Sequence, residues 1–309
     1  MSEPLQTPPA PTPPAVSNAR ADVIHDIGYR HYDGPRLGRS YATRSLFALS
    51  LRGSFGLGRS TKSKILPMAL AAVMCVPALI IVAVVVYIKQ NHFPDAVNYP
   101  HYLSVMQFVI AVFVAAQAPV ALSRDLRFMT LPLYFSRPLT SGDYVKAKFG
   151  AMFAAIFLLT SVPMLILWIG SMLASMPFLH NLEFFAYGLL ASVLYALLYT
   201  GISLVIAATT PRRGFGVAAI IALFLISEAV SGIIWGVLHV NGHAQAAGWA
   251  SVISPNALIQ TTVNWLFNLP VTGDEVKVPS AAGGVVFLIE VVVIAAATFG
   301  LLVRRYRKI

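Results

Sequence analysis

The sequence predicts an all-α polytopic membrane protein with six transmembrane helices, and three observations carry that expectation. Of its 309 residues 57% are hydrophobic and only 11% charged, where soluble domains carry about 25% charged residues. The apolar residues are gathered into runs long enough to cross a bilayer as helix, which takes about 20 residues. The charged residues gather at the ends of those runs, where they set topology. A net charge of +10 can mark a nucleic-acid partner, but cations confined to span ends serve orientation and contact with anionic membrane lipid instead. No nucleic acid is expected. Cys75 is the single cysteine, so no intrachain disulfide forms.

Residues 1–21, with EPLQTPPAPTPPAV, are proline-rich and weakly charged. Such a composition cannot bury a core, and a disordered cytoplasmic tail is expected. The first 60 residues lack the short apolar core of a cleavable signal peptide. Residues 22–64 read as a cytoplasmic segment followed by an interfacial helix. Tyr29 and Tyr32 alternate with Arg30, Arg36 and Arg39 around Asp33-Gly34-Pro35, a turn signal. This is either a solvated juxtamembrane segment or a peptide-like element lying along a partner through Tyr29, Tyr32, Gly34 and Arg36. A short helix follows over residues 40–52, with Phe47, Leu51 and Phe55 at i, i+4, i+8. Arg59, Lys62 and Lys64 come next, which places it in the headgroup region. The glycines of GSFGLGRSTKSK lack the spacing, and the preceding strand, of a phosphate-binding loop.

A transmembrane domain over residues 65–303 holds expected spans at 65–88, 102–122, 149–176, 184–208, 215–238 and 281–303. Pro77 and Pro163 fall inside spans one and three, where neighbouring helices absorb the irregularity. Residues 304–309 form a basic tail. With the N-terminus cytoplasmic, all 22 Lys and Arg except Lys89 and Lys277 lie inside. That bias fixes the orientation, returns the C-terminus to the cytoplasm, and suits a multi-pass protein of a cell inner or plasma membrane. Between spans five and six, residues 239–280 include Trp249, Val252, Ile253, Leu258, Ile259 and Trp265. One or two short helices at or dipping into the outer interface are expected there, with Pro255 in a first turn after Ser254.

Few residues are candidates for chemistry. Glu228 in span five and Glu290 in span six sit near mid-membrane, where an acid costs about 2.5–3.5 kcal/mol and is by default a functional candidate. Each reads equally as a polar point on a substrate path or as a structural hydrogen bond to Ser and Thr neighbours such as Ser227 and Ser231. His239 and His243 stand at i, i+4, a metal-ligand spacing. Gly242 interrupts the helix between them and no Cys or carboxylate completes a site, so no metal is expected. Neither a nucleophile elbow nor an H-E-x-x-H motif occurs. The chain reads as a non-enzyme.

The polar stretch over residues 123–148 stands apart. It carries Arg124, Arg127, Arg137, Lys146 and Lys148 with the acids Asp125 and Asp143. Phe128, Met129, Leu131, Leu133, Tyr134 and Phe135 occupy its middle. A loop that merely reverses direction has no need of an apolar centre, so a short docked helix is expected.

Asp125-x-x-x-x-Thr130-Leu131-x-Leu133, followed by Ser136-Arg137-Pro138-Leu139-Thr140-x-x-Asp143-Tyr144-x-x-x-Lys148, resembles the loop between spans two and three of type-2 ABC transporter permeases. The six-span plan, the juxtamembrane helix and the apolar outer segment agree with that family over most of the chain. Gly142 departs from it, since a basic residue is commoner there, and Pro132 is a second irregularity. Tyr29-Arg30-x-Tyr32-x-Gly34-x-Arg36 is similar to a segment of some bacterial members. The resemblance implies an exporter's transmembrane subunit for a hydrophobic or amphipathic substrate. ATP and Mg would be handled by two separate ABC ATPase subunits, since no Walker motif occurs here. The loop would be the coupling helix, with Phe128, Leu131, Tyr134 and Phe135 filling a groove and Asp125 and Arg137 fixing its position. Thr130, Ser136, Pro138, Tyr144 and Lys148 complete the motif. A second permease copy or homologue would complete a dimer, with spans two and five at the interface. The alternative is an ion-coupled secondary transporter using Glu228 and Glu290, which predicts an internal repeat of the two halves that the sequence does not display.

Overall fold

Helices account for all the regular structure among the described residues of the computed structural model, with no strand. Those residues are 34, 37–58, 60–88, 98–136, 139–210, 212–269 and 276–308, with the side chains of Ile88, Arg124 and Phe135 outside the description. Residues Gly38–Ile309 form one compact unit. The expected tail, with Tyr29, Tyr32 and Arg36, lies outside the described residues, as do Arg137 and Pro138.

The helices are α1 (Arg39–Ser54), α2 (Thr61–Ile88), α3 (Tyr99–Val105), α4 (Gln107–Ala121), α5 (Ser123–Arg127), α6 (Leu131–Phe135) and α7 (Ser141–Leu173). They continue with α8 (Phe178–Thr209), α9 (Arg213–Val240), α10 (Ala244–Gly248), a 3-10 turn (Trp249–Ile253), α11 (Pro255–Leu266) and α12 (Ala281–Tyr306). Six of them, α2, α4 with its continuation into α5, α7, α8, α9 and α12, are long and apolar enough to cross a membrane. They match the six expected spans in order. The boundaries differ where local hydrogen bonds outweigh hydropathy. Thr140 and Asp143 form a capping box, so α7 begins eight residues before the apolar run expected at 149. At 33 residues it is about 50 Å long, well beyond a hydrocarbon core of about 30 Å. The second expected span begins as α3 and breaks at Met106 before α4 resumes. Pro132 falls in the first turn of α6, where its missing N–H is harmless.

Three helices form the centre. The spanning windows of α4, α7 and α8 are 65%, 50% and 56% buried, against 17–22% for α2, α9 and α12. Without a hydrophobic drive between helices inside lipid, such packing rests on close approach at small residues. A Cβ at Gly170 of α7 would lie 2.2 Å from Val82 of α2, and one at Gly201 of α8 would lie 2.2 Å from the Thr298 hydroxyl of α12. The first helix lies against α7, with the Phe47 ring 3.5 Å from the Cβ position of Gly150. The residues expected to stack on it, Phe47, Leu51 and Phe55, all pack on the core.

Replacing Gly201 by Leu should wedge α8 from α12 and destabilise the detergent-solubilised protein by about 1–3 kcal/mol. Gly236→Leu, where no neighbouring atom lies within 4 Å, should leave the melting temperature near that of the parent. Equal melting of both variants would contradict the packing.

Candidate functional site

Two polar constellations stand out, one at the turn from α4 to α7 and one around the middle of α9. The first builds the turn from α4 to α7. Helix α4 ends at Ala121, and its last carbonyls have no intrahelical donor. Lys148, in the second turn of α7, reaches across and donates to the Ala121 carbonyl at 2.9 Å. The same ammonium pairs with Asp125 Oδ2 at 2.9 Å, with the two side chains only 9% and 16% exposed. Tyr144, one helical turn before Lys148, donates its hydroxyl to that carboxylate oxygen at 2.7 Å. The Asp125 carbonyl in turn accepts the Thr130 amide at 3.1 Å and the Thr130 hydroxyl at 3.3 Å. A cation at a helix C-terminus and a carboxylate with two donors are each favoured electrostatically. The spacing Asp125-x-x-x-x-Thr130 and Tyr144-x-x-x-Lys148 is therefore the spacing of an anchor.

Aromatic packing backs the anchor. Tyr144 is fully buried, with its ring 5.7 Å from Tyr134 and 5.1 Å from Tyr306 at the end of α12. Ser123 ties the start of the loop to α8 by donating to the Ala207 carbonyl at 2.9 Å. The chain reverses at Met129, whose φ of 52° is left-handed, a geometry that costs a side-chain-bearing residue about 1–2 kcal/mol.

The side chains available on this turn differ from those expected. Leu131 is buried and Tyr134 packs against the core, so neither is free to fill a partner's groove. Of the four expected, Phe128 is 62% exposed; Met129 and Leu133, at 79% and 69% exposed, face out beside it, because the anchor turns Leu131 inward and α6 is only five residues long. Ser136 bonds back to Leu133. Arg127 lies over the Phe128 ring at 5.7 Å. Asp125, Thr130, Tyr144 and Lys148 all turn inward, as positioning groups. The juxtamembrane helix is joined to the same region: Arg39 grips Asp143 at 2.5 and 2.9 Å and Thr140 at 3.0 Å. Its hydrogen bond and charge interaction with Asp143 hold the Arg39 guanidinium above its already high range.

The second constellation surrounds Glu228, midway along α9. Ser254, the N-cap of α11, accepts the Ala257 amide at 3.4 Å and donates its hydroxyl to Glu228 Oε2. Asn256 donates to Glu228 Oε1 at 3.1 Å and to Ser104 of α3 at 3.3 Å, while accepting from the Tyr195 hydroxyl of α8. Ser104 passes the chain on to Gln260 at 2.6 Å. Both carboxylate oxygens thus accept from neutral donors. The expected neighbours are not the partners: Ser227 bonds to the Phe224 carbonyl and Ser231 to that of Ala250. A cavity of about 340 Å³ adjoins the network, walled by Glu228, Ser231 and Trp235 of α9, His101 and Ser104 of α3, and Gln260 of α11 among others. It has room for several waters or a small polar ligand.

Glu290 is half-buried on α12 and is not part of that cavity, so the structure does not bring the two acids together. His239 stacks on Trp235 at 4.9 Å, whereas His243 caps α10 beyond the turn at Gly242. Among the described residues no group of three metal-ligating side chains occurs. The Ser254-Pro255 corner was readable from sequence, and the Thr140-x-x-Asp143 box carries a recognisable signature. Ser104, Tyr195, Asn256 and Gln260 gave no such signal, because their partners lie up to 156 positions away. No protein-family model matches the chain, and no curated protein matches it significantly.

Two outcomes test this geometry. Asp125→Leu and Lys148→Met should each cost about 3–5 kcal/mol by leaving a buried charge unpaired, and the Asp125→Leu/Lys148→Met double variant should cost less than their sum. Additive losses in detergent unfolding would contradict the pair. Asn256→Ala should cost about 1–3 kcal/mol, while Glu290→Gln stays within about 0.5 kcal/mol; an Asn256→Ala protein as stable as the parent would contradict the network.

Proposed function

We propose that the chain is the transmembrane permease subunit of an ATP-driven ABC exporter, driven by separate ATPase subunits that dock on the turn between α4 and α7. The observation that supports this reading is the pairing of a rigid base with an apolar surface. Phe128, Met129 and Leu133 are exposed on a turn that is held from beneath by Lys148, Asp125, Tyr144 and Ser123. Exposed apolar side chains on a short polar turn mark an interaction site, and a stiff mounting passes force on rather than dissipating it. Displacement of the turn would reach α7 through the Lys148–Asp125 pair and α8 through Ser123.

Orientation follows from charge. Arg39, Arg127, Lys146, Arg212, Arg304 and Lys308 belong to the same end of the helices as this turn, while Lys277 stands at the other. The positive-inside rule puts the turn and both termini in the cytoplasm. There the ATPases, with their ATP and Mg, reach Phe128 and Leu133. Helices α10 and α11 then cap the outer side as a re-entrant pair, and the Glu228 cavity opens as a polar station near them. The sparsely buried α9 presents Leu225, Ile226, Ile233 and Val237, a surface suited to a second permease copy. This chain supplies no step of hydrolysis; it binds, positions and moves.

The test is reconstitution with ABC ATPase subunits from the same cell. ATP-dependent transport and a stable complex are expected from the parent. Leu133→Asp should abolish complex formation and transport while leaving the melting temperature unchanged, because Leu133 touches water already. Complex formation that survives Leu133→Asp would defeat the docking site. Transport that proceeds without ATP and collapses with the proton gradient would instead favour an ion-coupled carrier using Glu228.

A further inference from the structure

Beside the cytoplasmic end of α12 lies a groove of about 600 Å³ between α8 and α12. Its wall is apolar, made by Val205 and Ala208 of α8 and by Leu301 and Leu302 of α12. Its mouth is ringed by Arg304, Arg305 and Lys308, and no acid among the described residues lines it. All three cations are exposed. Among the described residues the ion pairs are Arg39–Asp143 and Lys148–Asp125, and neither takes up one of these three cations.

Like charges this close repel one another, and the negative end of the α12 dipole offsets only part of that. An occupant that relieves the repulsion carries at least one negative charge in a compact oxygen-rich group. One that also covers Val205 and Leu301 carries an apolar tail. We propose that this groove is a binding site for an anionic phospholipid, with the phosphate held by Arg304, Arg305 and Lys308 and an acyl chain laid along Val205 and Leu301. Guanidinium forks match phosphate oxygens in geometry as well as charge, and basic pockets between transmembrane helices are a recurrent form of lipid recognition. The inference rests on the membrane-spanning architecture alone and stands whether or not the chain is a transporter.

The site has a structural neighbour. Tyr306, between Arg305 and Arg307 in the chain, is buried against Tyr144 at 5.1 Å, and the Tyr144 hydroxyl holds Asp125. A lipid that steadies the end of α12 therefore steadies the support of the α4–α7 turn.

The experiment uses the full chain in a neutral detergent, with thermal unfolding and native mass spectrometry read together. Phosphatidylglycerol or cardiolipin should raise the melting temperature and remain bound, whereas phosphatidylcholine and inorganic phosphate should do neither. The Arg304→Gln/Arg305→Gln/Lys308→Gln variant should lower relative phosphatidylglycerol affinity on the order of a hundredfold, from about 1 kcal/mol for each charge. Leu301→Trp, which fills the groove and keeps the charges, should also lose the lipid. Arg212→Gln/Arg213→Gln, at the same membrane end but outside the groove, should keep it. Stabilisation by phosphatidylcholine equal to that by phosphatidylglycerol, or retention of the lipid in the triple variant, would overturn the proposal. An equal shift from inorganic phosphate would make the site one for a soluble anion and overturn the lipid assignment.

Discussion

Lys148 sits where an ammonium is expensive to place, 9% exposed in the second turn of a membrane helix. Three oxygens make that position tenable. The Asp125 carboxylate neutralises the charge, the Ala121 carbonyl accepts a hydrogen bond from the ammonium, and the Tyr144 hydroxyl donates to the same carboxylate oxygen. Each partner has its own reason to be there, since Ala121 ends a helix and Asp125 lies in the first turn of the next. The arrangement therefore solves two problems together. It gives the last carbonyl of α4 a donor, and it fixes the path of the chain into α7.

The rest of the bundle is built outward from this end. Helices α4, α7 and α8 converge on the anchor and are the most buried of the six, and α12 joins them through Tyr306. Towards the opposite face the packing turns polar again, where Glu228, Asn256, Tyr195 and Ser104 tie α9, α11, α8 and α3 into one network. A buried polar network of this kind specifies one packing because a partial rearrangement strands several groups at once. The molecule thus has two ordered polar clusters, one at the exposed apolar turn between α4 and α7 and one midway along α9 beside the cavity.

Much of the fold was legible because a membrane helix advertises itself by composition. Six apolar runs became six long helices, and the Ser254-Pro255 corner appeared where its cap residues placed it. The site was legible only in part. The motif residues Asp125, Thr130, Tyr144 and Lys148 do come together, yet they face one another. The outward surface falls to Phe128, Met129 and Leu133. Which side of a five-residue helix faces out depends on what clamps its neighbours, and no periodicity can develop over so short a stretch. Glu228 was legible as a costly acid, but not its partners, since Asn256 and Ser104 reach it through tertiary contacts.

Hydrogen exchange of the backbone amides from Leu126 to Ser136 tests the anchor most directly. In the parent protein these amides should exchange slowly for so short and partly exposed a turn, and Asp125→Asn should accelerate them while leaving α8 amides unchanged. Fast exchange in the parent, or an Asp125→Asn profile that matches it, would contradict a rigid turn held by the Lys148–Asp125 pair.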